Sequence, residues 1–156
     1  MKKISTDLQN SVIAASDKMQ KMRPEDWALR KAPGKSSLSE HPSSGGWSKK
    51  ETLGHLIDSA ANNHQRFVRA QYGDKTPITY DGDAWVKTQD YDSESALVLI
   101  ELWKYYNLHL AHVISKISSD KYNVLFNADA REPVTLKWIV EDYIKHLEHH
   151  LKQILS

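Results

Sequence analysis

A chain of 156 residues that is 40% hydrophobic, with five Trp and seven Tyr, is long and apolar enough to pack one core and does not read as disordered. Net charge is +1 and cysteine is absent, which excludes disulfides, thiolate metal sites and cysteine nucleophiles, so any metal must be held by nitrogen and oxygen. No apolar run approaches the roughly 18 residues of a membrane span, and MKKISTDLQNSVIAAS lacks the apolar stretch of a signal peptide. The expectation is a single domain over residues 1–156, in the cytoplasm, with no membrane contact.

Charge is uneven along the chain. Lys plus Arg against Asp plus Glu runs 10 to 5 over residues 1–50, 4 to 8 over 51–100 and 7 to 7 over 101–156. The early excess is scattered over Lys2, Lys3, Lys18, Lys21, Arg23, Arg30, Lys31, Lys35, Lys49 and Lys50. Without a basic stripe this reads as solvated surface, and nucleic acid is not an expected partner.

The first helical pattern spans about Thr6 to Met22, with Leu8, Val12, Ala15 and Met19 as its apolar stripe and Pro24 beyond its end. The Pro/Gly-rich stretch 23–47 then holds His41, expected at the surface. The second helix opens at Ser48, where Ser48-x-x-Glu51 forms a capping box and Trp47 is placed for a hydrophobic staple; it runs to Gln71. Residues 72–92 read as a second long irregular connection, of a length that is usually functional. A third helix begins near Ser93 and ends before Ser118, and a fourth runs from about Thr135 to Leu155. YNVLFNADAREPV between them fits either a short hairpin or an irregular segment. Four helices with such connections predict an all-α four-helix bundle with long crossover loops.

The chemistry sits in the histidines. In KHLEHHLKQIL, His146 and His150 are four residues apart, which stacks them on one helix face one turn apart. At about 100° per residue, Leu136, Ile139, Val140, Tyr143, Leu147, Leu151 and Ile154 form the buried stripe, with His150 inside it, His146 at its edge and His149 toward solvent. Two ligands need a third from elsewhere. On the second helix His64 shares the apolar face of Leu53, Leu56, Ile57, Ala60, Phe67 and Val68, whereas His55 lies with Thr52, Ser59, Asn62 and Arg66. That polar face reads as solvated surface or as the wall of a cleft, and periodicity ranks His64 as the better buried of the two. His109 falls on a stripe with Val98, Leu102, Tyr105 and Val113 and reads as a core histidine or as one that supports a ligand from behind, with His112 near the boundary. No Glu-x-x-His pair is present, which sets aside a ferritin-like di-iron site.

GGWSKKETLGHL followed some way on by HLEHHLKQI resembles the DinB/YfiT-like superfamily of small bacterial metal-binding bundles. The likeness rests on Trp47 and Ser48 before a helix, the His55-Leu56 pair, and His146, His150 and Gln153 on the last helix. YDGDAWV, Tyr80 to Val86, looks like the crossover of one branch, while Lys152 stands where glycine is frequent. The resemblance implies an up-down-down-up bundle, commonly a homodimer, with a divalent ion on His55, His146 and His150. It thereby favours His55 over His64. It further implies a metal-dependent hydrolase that activates water for a small-molecule substrate, with a thiol transferase or a non-catalytic stress-response bundle as alternatives. A three-histidine set suits zinc or nickel. Asp81, Asp83 and Asp90 in the crossover are the carboxylates within reach for a base, and nothing in the sequence selects one.

Overall fold

The computed structural model describes residues 1–29, 46–74, 76–128 and 132–156. The expected exposure of His41, Arg30, Lys31 and Lys35 falls outside them. Four long helices form the bundle: α1 (Lys2–Met19), α2 (Lys49–Gln71), α4 (Ala96–Lys116) and α5 (Leu136–Leu155). A shorter helix, α3 (Gly82–Gln89), lies in the connection that the sequence pattern left irregular. It is short and starts on Asp81, whose side chain accepts from Ala84 N, so a single turn of capping rather than a long apolar stripe defines it. Before α5, the strands β1 (Leu125–Phe126) and β2 (Val134–Thr135) pair antiparallel, deciding the open question in favour of a minimal hairpin.

The ends of the helices give the topology. Ser5 Oγ donates to Ala111 O (2.7 Å), and Gln20 donates to Glu101 (2.6 Å), so α1 runs antiparallel to α4. Ser48 Oγ donates to Asp92 Oδ1 (2.6 Å) and Lys50 Nζ to Glu94 O (2.7 Å), which puts the starts of α2 and α4 side by side and makes them parallel. Lys49 Nζ reaches Ser156 O (2.8 Å), so α5 runs back along α2. The bundle is therefore up-down-down-up. The long 72–95 connection exists because parallel neighbours must be joined end to end, and this return passes over the flank of α2.

Ser48 caps α2 as its sequence implies: its Oγ accepts from Glu51 N (3.0 Å), and Glu51 Oε2 accepts from Ser48 N (2.7 Å). The Trp47 ring, just before the cap, faces His55 and His150. The stripes read for α1 and α5 are buried as expected. The stripe read for α4 is not. Val98, Leu102 and Tyr105 are 52%, 50% and 61% exposed, and the core instead takes Leu99, Ile100, Trp103, Asn107, Leu110, Ala111 and Ile114. Helix α4 is apolar on most sides, so periodicity alone offered two faces and could not rank them. Asn107, fully buried, is satisfied by Tyr143 Oη, which donates to its Oδ1, and by donating itself to Trp103 O (2.8 Å).

Helix α2 departs furthest from an amphipathic surface helix. Thr52, His55, Asp58, Ser59, Asn62 and Asn63 are all buried together with Leu53, Leu56, Ile57, Ala60 and Phe67, whereas Val68, read as part of the apolar face, is exposed. The covering layer is the crossover itself: the ring of Tyr91 lies on Gly54, and Gly82 brings the first turn of α3 against the His55 ring. The buried polar groups turn inward to their own helix. Thr52 donates to Ser48 O (2.8 Å), Asn62 to Asp58 O (2.9 Å) and Asn63 to Ser59 O (2.9 Å).

Candidate metal centre

Three imidazoles converge where the start of α2 meets the last turns of α5. His146 Nε2 lies 3.2 Å from His55 Nε2 and 3.1 Å from His150 Nε2. The ring centroids are 4.5 to 5.1 Å apart, with interplanar angles of 72–73°. Nitrogens bound tetrahedrally at about 2.0–2.1 Å stand roughly 3.3 Å from one another, so one ion fits between these three with little adjustment. Among the described residues this is the one group of three or more His, Asp or Glu side chains with ligand atoms so close together.

The protonation states fit an ion as well. His55 is 8% exposed, and burial, then the neighbouring His146 and His150, hold its pKa at about 2. Burial, then His150 and His149, hold His146 at about 3. Imidazoles this reluctant to protonate present lone pairs near neutrality. On His150 the tautomer is set from behind: Nδ1 lies 3.0 Å from Gln153 Oε1, so Nδ1–H donates and Nε2 keeps its lone pair for the centre. Gln153 is itself held by His149, 2.8 Å away. Trp47 walls the site, its ring 4.6 Å from His55 and 6.4 Å from His150.

His55 is thus buried in the site, against the solvated reading of its helix face. Periodicity misplaced it because the cover on that face is the 80–94 crossover, which carries α3 and is distant in sequence. His64, the better candidate by periodicity, is only half buried and faces another way, toward Tyr106 Oη (3.3 Å) and the ring of His109 (5.2 Å). His109 and His112 are exposed rather than core and boundary residues, and His149 is exposed as expected. Of the crossover carboxylates, Asp81 caps α3 and is exposed, and Asp90 is exposed at its C-terminus with φ 49°. The buried carboxylate beside the site is Asp58, which the sequence reading passed over. Its Oδ1 accepts from Tyr91 Oη (2.6 Å) and Gln89 Nε2 (2.8 Å), while burial pushes its pKa up against those two bonds. A signal for it was available: from Thr52 to Gln65, Asp58 is the single charged residue, an unusual composition for a solvated face.

The linkage of these histidines predicts a pH effect on the metal-free protein. Their folded pKa lies below the ordinary histidine value near 6.5, so between about pH 3 and 6.5 the unfolded chain binds more protons, and stability falls as pH drops. The slope approaches about 1.4 kcal/mol per pH unit for each histidine kept neutral. Chemical denaturation of metal-free protein from pH 7 to 4 measures it; His55→Ala flattens the curve if the assignment is right.

Fold and site together define a four-helix bundle with a three-histidine centre at one end, able to hold a single divalent ion. The sequence model of the DinB superfamily matches residues 18–154, and the chain belongs to that family. YfiT of Bacillus subtilis (strain 168), provisionally named a metal-dependent hydrolase, is 26% identical over 118 residues, covering 70% of this chain and 63% of that protein. The match therefore spans less than two thirds of that relative's length. A solved structure of YfiT, described as a probable metal-dependent hydrolase with an unusual four-helix bundle topology, superposes with a TM-score of 0.80 at 21% identity. It covers 97% of this chain and 82% of that one, and at this identity the likeness speaks for the fold. No helix among the described residues is long and apolar enough to cross a membrane.

Proposed function

We propose that the chain is a metal-dependent hydrolase of a small-molecule substrate, with one zinc or nickel ion held by Nε2 of His55, His146 and His150. The observation that carries this reading is the approach of these nitrogens to 3.1 and 3.2 Å on neutral imidazoles. These three imidazoles would hold the ion, and the ion would supply Lewis-acid chemistry there, acidifying water or polarising a carbonyl. His55 and His150 are buried and fix the inner wall, while His146 is partly exposed and leaves that side the more open to solvent. Trp47 lies against His55 on one flank of the site, their ring centroids 4.6 Å apart. Gln153 holds the His150 tautomer through the reaction.

The test is a turnover screen of metal-loaded protein against esters, amides and thiol acceptors. The expected result is hydrolysis that a chelator abolishes, that added metal restores and that His55→Ala lacks. Turnover confined to thiol transfer would replace hydrolase with transferase. No metal-dependent turnover of any class would leave a non-catalytic bundle with a structural histidine cluster.

A further inference from the structure

His55 Nδ1 and Asp58 Oδ2 are buried polar atoms one turn apart on α2, and neither has a hydrogen-bond partner among the described residues. Buried polar groups are rarely left so, and a pair on one helix calls for a common explanation. The chemistry of the centre supplies half of it. With Nε2 turned to His146 at 3.2 Å as a ligand atom, the His55 proton must sit on Nδ1, which then needs an acceptor. His150 meets the same need through Gln153.

The helix supplies the other half. At about 100° per residue, Asp58 projects between Gly54 and His55 when viewed down α2. Tyr91 occupies the Gly54 side, with its ring on that glycine and its hydroxyl on Asp58 Oδ1, and Gln89 binds the same oxygen. Both donors thereby pin one carboxylate oxygen and leave Oδ2 for the His55 side. Side chains three residues apart on a helix are neighbours, near enough for one water to join groups that do not touch directly.

We propose that Asp58 is the positioning residue for His55, its Oδ2 accepting from Nδ1–H through one buried water. Tyr91 and Gln89 orient the carboxylate, so the crossover segment sets the tautomer of a ligand on α2. This rests on the three-histidine reading and adds to it a residue that touches neither ion nor substrate. Outer acceptors of this kind raise the basicity of the imidazole and fix its ring plane, and their loss typically lowers metal affinity about 10–100-fold.

The test compares zinc affinity, by competition with a chromophoric chelator, in wild type, Asp58→Asn and Tyr91→Phe. In Asp58→Asn the amide oxygen can still accept from Tyr91 and Gln89, but an NH₂ donor stands in place of Oδ2. The expected result is a 10–100-fold loss in Asp58→Asn, with helical circular dichroism unchanged and a smaller loss in Tyr91→Phe. Equal affinity in wild type and Asp58→Asn overturns the proposal while leaving the metal centre intact. No zinc binding by wild type overturns the centre itself. Should Asp58→Asn fail to fold, nitrogen-15 spectra of zinc-loaded wild type decide: a slowly exchanging proton on His55 Nδ1 supports the acceptor, and a rapidly exchanging one overturns it.

Discussion

His146→Ala is expected to strip the protein of its divalent ion, with affinity falling by more than the roughly 100-fold that loss of an outer hydrogen-bond partner can cost. His146 is the hinge of the trio, since its Nε2 is the atom near 3 Å from Nε2 of both His55 and His150. The variant should remain folded, because His146 is only partly buried at the edge of the α5 stripe while Leu147, Leu151 and Ile154 carry the packing. Metal analysis after dialysis, alongside circular dichroism, separates the two effects. A folded variant that keeps stoichiometric metal would remove His146 from the centre.

Gly54→Ala should be the most damaging single methyl in the neighbourhood of the site. In a helix interior alanine is ordinarily favoured over glycine by up to about 1 kcal/mol. Here a Cβ would stand 2.1 to 2.3 Å from Cδ2, Cε2 and Cγ of Tyr91, the middle of the ring rather than a mobile tip. Tyr91 is 6% exposed and must leave its seat, surrendering its bond to Asp58. Overpacking and lost burial together predict a cost of about 3 kcal/mol, or a melting temperature roughly 6–12 °C lower. Tyr91→Ala should relieve the clash, so that Gly54→Ala costs far less in that background. An unchanged melting temperature in the single variant would contradict the placement of the crossover on α2.

The histidines of α5 and α2 show how far the sequence could be read. On α5 one face is apolar and the rest polar, so wheel arithmetic placed His150 inside, His146 at the edge and His149 outside, and the structure agrees. The capping box at Ser48 was equally legible, because its geometry is local. On α2 the same arithmetic ranked His64 above His55, since it treats any polar face as solvated. What covers that face is a long-range return of chain carrying Gly82 and Tyr91, and periodicity holds no record of such cover. The ordered likeness to a family supplied His55 where the residues alone left the choice open. Asp58 went unread for the same reason as His55, although the scarcity of charge around it hinted at burial. On α4 the difficulty was the reverse, an excess of apolar positions that left Val98, Leu102 and Tyr105 at the surface.

The most direct measurement of the central claim is anomalous diffraction at the metal edge from crystals of the zinc-loaded protein. The predicted result is one peak between α2 and α5, about 2.0–2.1 Å from Nε2 of each of His55, His146 and His150. A zinc peak that lies elsewhere, for example between His64 and His109, or no ordered zinc at the trio, would contradict it.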